Sequence, residues 1–188
     1  TSRHTHIAEH VFQQAFMSEL DKAQQIIKII RYLNIGFDTD AKALDCILKG
    51  RALAEEFNDK KLAHSIFNVA QDIGVNSAFI LHQRAILEIN HANPNYDLAL
   101  EYLKRIDNSD SYYDMRTVEH TKANVYRRLA LNVSSRHEKI KYRNLSLKLL
   151  NENIRTSVKT SMPYHTKGLV LLDEIKDCDN ENDLVEII

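Results

Sequence analysis

The 188-residue chain is poor in residues that break or staple a fold. It holds four Gly, two Pro, two Cys and no Trp. So few turn residues exclude a β-sandwich or a barrel, whose many short strands each need turn signals. Cys46 and Cys178 stand far apart and form no metal or redox spacing, which excludes a disulfide framework and fits a reducing cytoplasm. No apolar run approaches the roughly 20 residues needed to span a bilayer, and the opening residues do not read as a signal peptide. Charge of either sign is also lacking in excess: the formal net charge of -1 gives no overall attraction to nucleic acid or anionic membrane. There is no G-x-x-x-x-G-K-[ST] loop, nucleophile elbow or triad spacing. The paired acids Glu55 and Glu56 occupy neighbouring helix positions and so point in different directions. The chain therefore reads as non-catalytic, without cofactor or metal.

What is present favours helix throughout, since Leu, Ile, Ala, Lys and Glu dominate. The sharpest feature is a tetrapeptide that recurs in similar form: His82-Gln83-Arg84-Ala85, His120-Thr121-Lys122-Ala123 and His165-Thr166-Lys167-Gly168. Spacings of roughly 35–45 residues are the mark of stacked helix pairs.

Apolar periodicity predicts one helix over about 4–20 and another over 21–33, with Asp21 as its cap and Gly36 left-handed in the turn that follows. A helix over 40–57 and one over 60–73 form a first pair, closed by Gly74. Helices over 76–90 and 95–106, then 115–131 and 136–154, make two more pairs. Pro163 opens a last helix running to about Ile175, and 182–188 begins its partner. The expected organisation is an N-terminal helical extension over 1–36 and a repeat array over 37–188. The chain starts at Thr1 with helical patterning almost at once, which reads as a fragment of a larger protein.

The A-x3-F-x2-A spacing of Ala63, Phe67 and Ala70, with small residues at Ala85, Ala123 and Gly168, resembles the tetratricopeptide repeat. The resemblance implies an all-α fold of antiparallel helix pairs stacked into a superhelical array, with small residues where helices approach closely. Ala63, Phe67, Ala70, Ala85, Ala99, Leu103, Ala123, Leu150 and Gly168 would lie at the seams. This chain departs from the family where a buried Leu should precede the small residue: Arg84, Lys122 and Lys167 stand there instead. A second set, Arg3-His4-x-x-Ile7-Ala8-Glu9, Gly50-Arg51-Ala52-Leu53 and Phe79-x-x-His82-Gln83-Arg84-Ala85, resembles the C-terminal part of bacterial STAND ATPases, many of them in antiviral defence. That resemblance implies a target-sensing repeat region next to an ATPase core.

The candidate binding residues are His82, His120 and His165, each three positions before a small residue, and Arg84, Lys122 and Lys167 beside them. In the repeat family the histidine position faces the concave groove, so the imidazoles would contact a protein or peptide. The alternative is that each histidine ties neighbouring helices together. For the cations, the alternative is a stem lying along apolar surface with its head in water. His4, His6 and His10 include two imidazoles one turn apart, but Glu9 is misplaced for a catalytic zinc site. Nine Lys or Arg lie between Arg116 and Lys148 against Glu119 and Glu138, while from Leu171 onward seven acids face only Lys176. That basic face, with Tyr126 and Tyr142, offers a nucleic-acid reading; neutralisation by the acidic tail is the competing one. A structural or dimerisation arm is the third.

Overall fold

The computed structural model describes residues 18–106, 114–156 and 161–177. These contain nine helices and no strand: α1 (Glu19–Tyr32), α2 (Asp38–Ile47), α3 (Gly50–Glu56), α4 (Lys60–Asp72), α5 (Ser77–Asn90), α6 (Tyr96–Lys104), α7 (Met115–Asn132), α8 (Arg136–Thr156) and α9 (Met162–Lys176). The all-α expectation holds. The helix expected over 4–20 and the partner expected over 182–188 lie outside the described residues, apart from residues 18–20. The chain divides into two compact units between Leu98 and Ala99. The described part of the expected 1–36 extension belongs to the first unit.

Local chemistry explains most helix ends and three departures. Ser18 caps α1, accepting from the Asp21 backbone N–H at 3.1 Å, while its hydroxyl donates to the Asp21 carboxylate at 2.7 Å. Asp21 thus sits inside the helix rather than at its cap, because Ser18-x-x-Asp21 is itself a capping pair. The expected helix over 40–57 is two helices, broken at Leu48–Lys49. The Gly50 N–H is taken by the Gln83 side chain at 2.9 Å instead of continuing the ladder. Gly74, not Gly36, is the left-handed glycine among the described residues, with φ +91°. It closes α4 with paired reverse bonds, Val75 N–H to the Ala70 carbonyl and Gly74 N–H to that of Gln71, the double bond pattern that a left-handed residue permits.

In the first unit one apolar core joins α1 to α5. It includes Ile30, Leu48, Phe57, Ile66, Phe67, Ile80 and Leu87. Hydrogen-bond register fixes the helix directions. Gly50 meets Gln83 and Asn58 meets His91, so both contacts step by 33 residues and α3 runs parallel to α5. Between them α4 runs the other way: Lys60 and His64 reach Glu88, while His64 and Asn68 reach Arg84. The α3–α5 approach is close. A Cβ on Gly50 would lie 2.0 Å from the Gln83 carbonyl oxygen and 2.8 Å from the Leu87 nitrogen.

In the second unit the same alternation recurs with a longer step. Asn153 donates to the Arg116 carbonyl at 2.7 Å and Ser146 to that of Ala123 at 2.8 Å, so α8 is antiparallel to α7. Arg143 donates to the Asp173 carbonyl at 3.1 Å and Lys139 pairs with Asp177 at 3.2 Å, so α9 is antiparallel to α8. His120 meets Thr166 at 2.9 Å and Arg127 meets Asp173 at 2.6 Å, which sets α7 parallel to α9 at a step of 46. Ala123, Leu150 and Val170 form the apolar centre of this set.

Eight of the nine expected seam residues are buried. Gly168 is the correction: it is exposed, and a Cβ there would meet nothing within 4 Å. It lies on α9 opposite the buried stripe of Pro163, Thr166, Val170 and Asp173.

Candidate functional site

The three tetrapeptides occupy three different environments. His82 and Arg84 on α5 are buried in the first unit. The Arg84 guanidinium donates to Asn68 Oδ1 at 2.6 Å and to His64 Nδ1 at 3.2 Å, and lies 5.6 Å from the centre of the Phe67 ring. Because a guanidinium only donates, His64 accepts at Nδ1 and presents Nε2–H to Glu88 at 2.8 Å. Glu88 is 1% exposed and also takes a bond from Lys60 at 2.6 Å. Burial pushes its carboxyl up, but the bonds from His64 and Lys60 outweigh burial and hold it below the ordinary carboxylate range.

On α7, His120 is half-buried and bonded to the Thr166 hydroxyl and the Met162 backbone of α9. Burial, aided by the nearby charge of His165, lowers its imidazole against the opposing effect of the Met162 bond. Lys122 is half-buried beside it. On α9, His165 is exposed and Lys167 half-buried. One sequence pattern therefore gives a buried polar cluster, an inter-helix tie and a solvent-facing pair.

The basic segment is partly neutralised within its own unit. Arg127 pairs with Asp173, while Arg143 and Lys139 both pair with Asp177. Burial raises the Asp177 carboxyl, yet the bonds from Arg143 and Lys139 bring it below its ordinary range. Tyr126 and Tyr142 stack on each other, with ring centres 6.3 Å apart and planes 16° from parallel, and Lys141 lies 5.7 Å from the Tyr142 ring centre.

A small cleft of about 90 Å³ opens at the end of the second unit where α7 and α9 begin and α8 ends. Asp114, Arg116, Thr117, His120, Asn153, Met162 and Pro163 line it. Sequence reasoning reached His120 among these as a candidate binding residue, Arg116 as the start of the basic face and Pro163 as a helix start. The signal for the rest was the inward α9 stripe Pro163, Thr166, Val170 and Asp173, whose polar members mark polar partners on the facing helices.

Among the described residues no group of three His, Cys, Asp or Glu is placed to hold a metal; His4, His6 and His10 lie outside them. No described helix is long and apolar enough to cross a membrane. No protein-family model, curated protein or solved structure matches the chain.

Proposed function

We propose that the chain is a non-catalytic protein-interaction module, a tetratricopeptide-like array acting in the cytoplasm as the target-sensing end of a bacterial STAND-type ATPase of antiviral defence. The observation that carries the repeat reading is the 33-residue step between α3 and α5, with α4 antiparallel between them. A step near 34 residues is the tetratricopeptide period. The second unit supports it with the same alternation at a longer step. Stacked helix pairs present extended surfaces suited to a protein segment. The STAND assignment is supported by the resemblance of Arg3 to Glu9, Gly50 to Leu53 and Phe79 to Ala85. Oligomerisation would then belong to the ATPase core.

Of the six candidate binding residues, Arg84 is committed to inward bonds, His82 is buried and His120 ties two helices. Partner contact therefore falls to Lys122, His165 and Lys167. The nucleic-acid reading is weakened because Arg127, Lys139 and Arg143 are paired with acids of α9. Selection of a random peptide library against the intact chain tests the module. A recurring peptide whose binding falls in the Lys122→Ala/Lys167→Ala double variant is expected; no enrichment over a blank surface contradicts the reading. The parent family is tested by the coding sequence upstream of Thr1, where a G-x-x-x-x-G-K-[ST] motif is expected and its absence would overturn the STAND assignment.

A further inference from the structure

α9 is more apolar on its outward face than a helix bordering water should be. Its inward stripe of Pro163, Thr166, Val170 and Asp173 is buried in the second unit. On the opposite face Tyr164, Leu172 and Ile175 remain 57%, 45% and 42% exposed, and Leu171 is half-buried among them. Tyr164, Gly168, Leu171 and Ile175 recur at steps of four, three and four residues, the spacing of a seam between two helices. The seam has no occupant among the described residues.

Gly168 lies in the middle of this seam. A glycine inside a helix weakens it, and a Cβ here would meet nothing within 4 Å. The other helical glycine, Gly50, stands where the α5 backbone comes close, so Gly168 offers the same close approach to a helix from outside the chain. The seam also matches its own reverse. Turned end for end about an axis between Leu169 and Val170, it sets Tyr164 against Ile175 of a second copy and Gly168 against Leu171. Large side chains then face small ones in the central layers. The half-buried Lys167 and Glu174 fall on the same flank, one opposite the other, twice by symmetry. Pairing in the same direction would instead stack Gly168 on Gly168, leaving a hole, and set Lys167 beside apolar Leu172.

We infer that the outward face of α9 binds a second copy of this chain, the two α9 helices packing antiparallel about a two-fold axis. A two-fold interface uses one patch on both copies and must be complementary to itself, which is the property this seam has in shape and in charge. The pairing does not depend on the peptide-binding reading and is additional to oligomerisation through an ATPase core. One helix of 15 residues against its copy is a small contact, so the association is transient.

The test is the mass of the intact chain in solution, followed by light scattering from about 10 μM to 1 mM, the range of a weak contact. The expected result is a rise from one copy towards two. Lys167→Glu and Glu174→Lys each turn two attractive pairs into two repulsive ones, so each variant alone should associate at least about fivefold more weakly. An equal mixture of K167E and E174K, and the double variant K167E/E174K, should associate like the parent. Gly168→Arg enters open space in the single chain, so its helical circular dichroism should be kept while association is lost. A mass of one copy throughout would overturn the inference, including the case in which residues 178–188 of the same chain cover the face. So would parent-like association of K167E, E174K or G168R alone, or no recovery in the mixture. Self-association without any library peptide would sink the peptide reading and leave this interface standing; selected peptides without self-association would do the reverse.

Discussion

Gly50 and Gly168 both lie within helices, yet their surroundings give opposite predictions. Gly50→Ala drives a Cβ into the α5 backbone, so it should destabilise the first unit by about 1–3 kcal/mol or prevent its folding. Gly168→Ala adds a methyl to open space within a helix and should stabilise by about 0.5–1 kcal/mol. Denaturant melts of the two variants check both signs. Equal signs would mean the close approach at Gly50 is wrongly placed. Glu88 makes a further test at this scale. Glu88→Gln keeps the shape but removes the charge facing Lys60, and hydrogen bonds to a charged group contribute roughly 1.5–3 kcal/mol. A melt within error of the parent would show that the buried pair adds no net stability.

Helices by themselves were legible: α1 and α4 to α9 fall within two residues of the ends that apolar periodicity gives. What periodicity missed was decided by other elements. The break at Leu48–Lys49 follows from Gln83 on α5 claiming the Gly50 N–H, a contact 33 residues away that no local window contains. The three His tetrapeptides look alike because neighbours in sequence are alike; burial separates them. Single exchanges to Ala should therefore differ. His82→Ala should cost on the order of 2 kcal/mol or more through a cavity, His120→Ala about 1 kcal/mol through its lost tie, and exposed His165→Ala no more than about 0.5 kcal/mol. Equal costs at the three sites would restore a ladder of like residues. Acid sensitivity follows from His120 as well. The fold lowers its imidazole, so the unfolded chain takes up a proton first as pH falls from about 6.5. The stability present above that pH is lost as the pH falls through the folded value. Asp177, also lowered, removes a further share at lower pH. His120→Gln should flatten the upper part of a stability–pH curve; an unchanged curve would contradict the assignment to His120.

At the scale of the whole molecule, each unit alternates helix direction in the same way, but with different internal chemistry. The first is centred on an apolar cluster. Among the described residues the second holds the apolar cluster of Ala123, Leu150 and Val170 and is tied through Ser146, Asn153, Thr166, Arg127, Arg143 and Asp173. The basic character of 116–148 was plain in the sequence, and its neutralisation by the acidic tail stood there as the competing reading; which pairs form, Arg127 with Asp173 and both Lys139 and Arg143 with Asp177, depended on how α7 and α8 lie against α9 and so was not. That neutralisation separates an interaction module from a nucleic-acid reader most directly when both ligands are measured side by side. The decisive measurement is the affinity of the intact chain for a library-selected peptide and for a single-stranded oligonucleotide, each at 50 and 200 mM salt. The expected result is peptide binding that changes little over that range and nucleic-acid binding that is absent or weak at both. Tight oligonucleotide binding that falls about 10³-fold or more between the two salt concentrations, as a surface with many phosphate contacts gives, together with no peptide affinity, would contradict it.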